Sequence, residues 1–121
     1  MKFTRDISTS LMIRSVSDHE IRIGEERYTE TIALTVDKVL DYWQTKPVAD
    51  LCEGDFSTIL DARPEVVVLG TGASNVFPPR ELVFAFARLG VGLEFMDTSA
   101  AARTFNVLAG EGRQVAAVLY L

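Results

Sequence analysis

The stretch Pro64 to Pro79, PEVVVLGTGASNVFPP, constrains this chain most. Val66-Val67-Val68-Leu69, three of them β-branched, runs straight into Gly70-Thr71-Gly72. A short apolar run without alternation, bounded by turn residues, predicts a strand buried on both faces. Pro78-Pro79 then opens a helix, with Pro79 expected as its first residue, where a missing N–H costs nothing.

The pattern after it repeats. Leu82, Ala85, Phe86 and Leu89 share one helical face, with Val83 at its margin and Gly90 placed to end the helix. Phe84 falls on the other side with Arg80 and Arg88, a possible contact point. Val91 to Met96 reads as a strand, and Asp97 or Thr98 caps a helix running to about Glu111, which Gly112 stops. Val115 to Leu121 reads as a final buried strand. Helices between successive strands imply crossover connections and a parallel or mixed sheet under helical cover. The fold class is α/β, bordering on α+β because the front of the chain is rich in strands.

That front begins with a loose arm, residues 1–10. Leu11–Val16, Glu20–Ile23 and Tyr28–Thr35 then read as strands of an antiparallel meander. In the last, Tyr28, Glu30, Ile32 and Leu34 alternate with Thr29, Thr31, Ala33 and Thr35, and Glu30 is the one violation of a covered face. Val36–Trp43 has two readings, a short helix carrying Val36, Val39, Leu40 and Trp43, or a strand followed by a turn. Asp55 is the expected N-cap of a two-turn helix bearing Phe56, Ile59 and Leu60, which Pro64 ends. At 121 residues the whole reads as one domain.

Composition excludes several classes of function. Seventeen acidic residues against twelve basic ones give a net charge of −5, with no basic cluster, which argues against a nucleic-acid surface. Cys52 is the only cysteine, so no internal disulfide forms, and with one histidine a structural zinc site has no ligand set. Beside Leu51, Cys52 reads as a small packed residue. MKFTRDISTS lacks the apolar core of a signal peptide, and the longest apolar run, Val115–Leu121, is far shorter than the roughly 20 residues a bilayer needs. The expectation is a cytoplasmic protein without membrane insertion. His19 sits in a predicted turn, and no Ser-His or Cys-His arrangement stands out, so no catalytic residue, cofactor or metal is assigned.

The glycine turn supplies the first two glycines of a dinucleotide fingerprint, with Glu94 near the ribose-binding position. Asn75 replaces the third glycine, and the helix starts too late to hold a pyrophosphate at its N-terminus. A structural role is favoured, positive φ and close packing where the chain leaves the sheet. The helix from Thr98 is the better candidate. At about 100° per residue, Ser99, Arg103, Asn106 and Gly110 form one thin polar stripe, opposite Ala101, Phe105 and Leu108 with Thr104 beside them. Arg103 must reach water or a carboxylate, with Asp97 and Glu94 nearest in sequence. If the stripe faces the loop 71–77, then Gly70, Thr71, Gly72, Asn75, Asp97, Thr98, Arg103, Thr104 and Asn106 line one polar cleft beyond the strand ends. The alternative is a solvated face with a structural salt bridge.

Leu69-Gly70-Thr71-Gly72, Phe77-Pro78, Gly90-Val91, Glu94, Met96, Thr98, Ala101, Arg103-Thr104-Phe105-Asn106, Leu108 and Glu111-Gly112-Arg113 together resemble the signature of the Mth-938-like family of unknown function 498. The match covers roughly residues 64–119, and more loosely a front hairpin with Ile21, Ile23, Gly24 and Tyr28. Ser99 and Phe105 depart from the commoner form; the latter lacks a tyrosine hydroxyl, which argues against chemistry at that ring. The resemblance implies a three-layer domain with a mixed central sheet, helices and a small extra β layer. A mitochondrial relative in that family is an assembly factor for respiratory complex I. Two functions follow: a non-enzymatic protein-interaction or assembly module using the loop 71–77 and the helix start at Thr98, or a pocket or enzyme for a small anionic ligand in the same cleft.

Overall fold

The computed structural model describes residues 11–40, 43 and 46–121; the expected N-terminal arm lies outside them. Strands β1 (Ile13–Val16), β2 (Ile21–Ile23), β3 (Glu26–Tyr28) and β4 (Ile32–Thr35) come first. Two 3₁₀ turns, Val48–Asp50 and Glu53–Phe56, lead to helix α1 (Ser57–Asp61). Then follow β5 (Val66–Gly70), α2 (Arg80–Leu89), β6 (Gly92–Met96), α3 (Thr98–Gly110) and β7 (Val115–Leu119).

The run at Val66 is the centre of the molecule. All five residues of β5 are buried, and β5 lies between β7 and β6, parallel to both. β4 pairs antiparallel with β7 and completes a mixed sheet of order β4-β7-β5-β6. Alternation divides the core. Val66 and Val68 join Val115, Ala117, Leu119 and the α3 residues Ala101, Ala102 and Phe105, together with Ile13, Ile21 and Ile23 of the small sheet. Val67 and Leu69 face the other way, with Phe56, Ile59, Leu82 and Phe86. Burying each of the valine, leucine, isoleucine and phenylalanine side chains among them stabilises the fold by about 1.5–3 kcal/mol, and each alanine by less. The result is the layered α/β arrangement expected: α3 and an antiparallel sheet β1-β2-β3 on one side of the central sheet, α1 and α2 on the other.

Local differences have physical reasons. Tyr28–Thr35 is not one strand of the meander: β3 ends at Tyr28, and β4 begins at Ile32 in the central sheet. The break surrounds Glu30, whose exposed carboxylate could not follow β4, where all four residues are buried. The meander therefore holds three short strands. Within Val36–Trp43 residues 36–40 form neither a helix nor a strand followed by a turn: a bend after β4 comes first and an isolated bridge at Val39 follows. The Thr35 N–H donates to the Lys38 carbonyl, the Leu40 N–H donates to the Ala33 carbonyl, and Val39 bridges Leu34. Trp43, half-buried, packs edge-on against Phe56 with ring centroids 5.2 Å apart. Residues 41, 42, 44 and 45 of this segment lie outside the described residues.

Asp55 does not cap a helix forward of it. Its carboxylate reaches back, accepting from the Cys52 N–H at 2.9 Å and from Lys46 Nζ at 3.0 Å. Cys52 is exposed rather than packed, because it precedes the 3₁₀ turn instead of entering the core. Pro79 stands one place before α2, its carbonyl accepting from the Leu82 N–H at 3.0 Å. Leu82, Ala85 and Phe86 bury as the periodicity requires. Leu89, the last helical residue before Gly90 turns the chain at φ +74, stays 49% exposed.

Candidate functional site

The two glycines of the turn owe their identity to backbone geometry. A Cβ on Gly70 would lie 2.9 Å from the Thr98 Cα, a contact that real Cβ atoms do not make, so β5 and α3 meet where no side chain fits. Gly72 sits at φ +103, a conformation that strains any residue with a Cβ. No helix follows closely: α2 starts only at Arg80, which leaves the fingerprint without its phosphate cradle.

From this seam the polar groups pair inward. The Thr98 N–H donates to the Gly72 carbonyl at 2.9 Å, while the Gly72 N–H donates to the Thr98 hydroxyl at 2.8 Å. That hydroxyl in turn donates to the Tyr120 carbonyl at 2.6 Å, and Thr98 is only 3% exposed. The Thr71 hydroxyl donates to the Ser74 carbonyl at 2.7 Å and accepts from the Val76 N–H at 3.0 Å, which closes the loop on itself. Asp97 caps α3, its Oδ1 accepting from the Ala100 N–H at 2.9 Å. Asn106 is fully engaged: Oδ1 accepts from the Ile13 N–H at 2.9 Å and Nδ2 donates to the Ile13 carbonyl at 2.8 Å. The Thr104 hydroxyl points to Met96 Sδ at 3.3 Å. Asn75 is exposed on the loop.

Arg103, like Asn75, differs from the paired groups. It is exposed, and among the described residues it forms no ion pair, so it takes the water-facing option rather than Asp97 or Glu94. The exposed stripe of α3 carries Ser99, Arg103, Val107 and Gly110; Asn106 turns partly inward and Val107 stands out.

Two recesses open along this side of α3. One, of about 220 Å³, lies between the β1–β2 turn (Ser17, Asp18), Gly72-Ala73 and the helix start (Asp97, Ser99). Its neighbour, of about 330 Å³, is lined by Arg14, Ser15, Ser99, Ala102, Arg103 and Asn106 among others. Val16 and Ser99 border both, so the glycine turn and Arg103 lie along one face but open into adjoining recesses. The outer wall is β1 and its turn. Sequence reasoning missed Arg14, Ser15 and Asp18 because only tertiary packing brings that strand to α3. It also passed over Phe77 as a site residue. Phe77 is 72% exposed, the most exposed large apolar side chain among the described residues, and it packs edge-on to Phe95 of β6 at 5.2 Å.

A family model described as a protein of unknown function (DUF498/DUF598) matches residues 13–120. The chain belongs to that family. Among its relatives, a Francisella tularensis protein named 13 kDa major membrane protein is 29% identical over 100 residues, 82% of this chain and 80% of the relative. Human NADH dehydrogenase [ubiquinone] 1 alpha subcomplex assembly factor 3 is 31% identical over 117 residues, 95% of this chain. This DUF498/DUF598 chain spans only 63% of that human protein's length. The solution structure of a Bordetella pertussis Mth938-like domain superposes with a TM-score of 0.76 at 26% identity, covering 91% of this chain and 85% of the other. Among the described residues of this family member, no helix is long and apolar enough to cross a membrane.

Proposed function

We propose that this DUF498/DUF598 chain is a non-enzymatic protein-interaction module of the assembly-factor kind. Its partner docks along the loop 71–77 and the start of α3. Phe77 carries the reading. A large aromatic ring held mostly in solvent on a loop that is otherwise closed by internal hydrogen bonds has the make-up of an interface anchor. Val76, exposed beside it, extends the apolar contact. The relatives named as assembly factors support the same class of function, and the partner of this chain is its own.

The test is affinity capture from the source cell with Phe77→Ser and Arg103→Ala. Phe77→Ser is expected to lose the specific partner while its melting temperature stays close to that of the parent; the same partners in full yield would remove the loop as the docking site. Under this reading the chain works in the cytoplasm, which the free thiol of Cys52 supports. Fractionation checks this: recovery only with washed membranes would overturn it.

A further inference from the structure

We propose that the recess between β1 and α3 is an oxyanion subsite in which Arg14 and Arg103 grip one carboxylate or phosphate group. Both arginines border the same 330 Å³ concavity, and no acidic residue is among the described residues that line it. Neither arginine forms an ion pair among the described residues, whose two salt bridges are Lys46–Asp55 and Arg113–Glu65. In a chain with seventeen acidic and twelve basic residues, two cations sharing a carboxylate-free hollow are an unbalanced charge that an anion relieves.

The hollow is built rather than incidental. Asn106 holds the Ile13 backbone through both its N–H and its carbonyl, which fixes β1 against α3. The pairing of β1 with β2 then slips between Ile13 and Ser15, leaving Arg14 as the unpaired residue of an irregularity. Such bulges break the alternation of a strand, and here Arg14 and Ser15 are exposed one after the other on β1, all four residues of which border the recess. Arg103 stands three residues before Asn106 on the same helix, so one side chain positions the wall that bears the second cation. Two planar guanidinium forks match two-oxygen groups in bidentate fashion, and Ser15 and Ser99, which also border the recess, are residue types that can donate from a hydroxyl. The adjoining recess carries Asp18 and Asp97, which repel a long polyanion. The ligand is therefore a single carboxylate or phosphate, either on a free small molecule or on an acidic side chain of a protein partner.

The experiment follows the amide and guanidinium NMR signals of the intact chain at low ionic strength. The probes are inorganic phosphate, succinate and a blocked Gly-Glu-Gly peptide. Localised shifts at Ser15, Ser99, Arg14 and Arg103 with millimolar Kd are expected, weakened about tenfold in Arg14→Gln and in Arg103→Gln. Peptide binding at least as tight as phosphate would assign the anion to a partner's side chain, and binding of phosphate or succinate alone would assign it to a free molecule. The subsite is overturned by an absence of localised shifts with all three probes, or by shifts of equal strength in both variants. Partner capture through Phe77 is read separately, so loss of the anion leaves the docking reading standing or falling by itself.

Discussion

The seam where Gly70 meets Thr98 and the recess where Arg14 meets Arg103 lie along one helix, yet their polar groups are in opposite states. In the seam the Thr71, Gly72 and Thr98 donors find partners inside the chain, and the Thr98 hydroxyl both donates and accepts. At the recess two guanidinium groups have none among the described residues. The residues that carry the family signature thus divide by burial. Gly70, Thr71, Thr98 and Asn106 build the architecture, whereas Arg103 and Phe77 are left to face solvent. An inward-facing polar group in a motif says as much about packing as an apolar one does.

Substitution measures that division. Gly70→Ala forces a Cβ against the Thr98 backbone at 2.9 Å, where neither strand nor helix can yield easily. The expected loss is about 3 kcal/mol, a fall in melting temperature of roughly 10 °C by calorimetry. An unchanged melting temperature would mean that β5 and α3 are not locked together. Thr98→Val keeps the shape but strands the Tyr120 carbonyl and the Gly72 N–H in a buried site, for about 2 kcal/mol in urea denaturation.

A smaller effect, away from the seam, comes from Asp55. Burial opposes its ionisation, but the Cys52 N–H and Lys46 overcome this and hold its carboxyl below the ordinary 3.8. The folded state therefore favours the ionised form. That stabilisation is complete above the unfolded pKa near 3.8 and drains away as the pH falls through the lower folded value. Asp55→Asn should cost about 1 kcal/mol at neutral pH, the worth of a cap, and show a flatter decline in stability below pH 4. A parallel acid profile for both proteins would assign the acid sensitivity to other groups. Smallest of all, Arg14→Gln and Arg103→Gln should leave the urea midpoint within error of the parent, as surface changes without partners do. A large loss in either would move that arginine into the architecture and erase the contrast.

The parts of the fold that could be read in the sequence are those specified locally. Val66–Leu69, the Leu82, Ala85 and Phe86 face, the Asp97 cap and the Gly112 stop each follow from neighbours within a turn or two, and the structure has them. The β3–β4 break was signalled by Glu30, but alternation continues straight across it, and which sheet a strand joins is decided by distant chain. Cys52 was misplaced for a related reason. Lys46 Nζ stands 3.8 Å from its Sγ only because the 3₁₀ turns fold the segment back. For the candidate site, the stripe of α3 was visible from its spacing, although Asn106 and Val107 exchange places at its edge. The opposite wall was not visible, since no pattern within β1 announces that a strand near the start of the chain will face a helix near its end.

The grip of Asn106 on Ile13 has one more effect. β1 is the outer strand of the small sheet, and the side-chain amide occupies the ladder positions where a further strand would attach, imitating a peptide group with its paired donor and acceptor. A side chain thus occupies one rung of a rim that would otherwise be a template for self-association, on a strand whose exposed Arg14 adds a charge against further pairing.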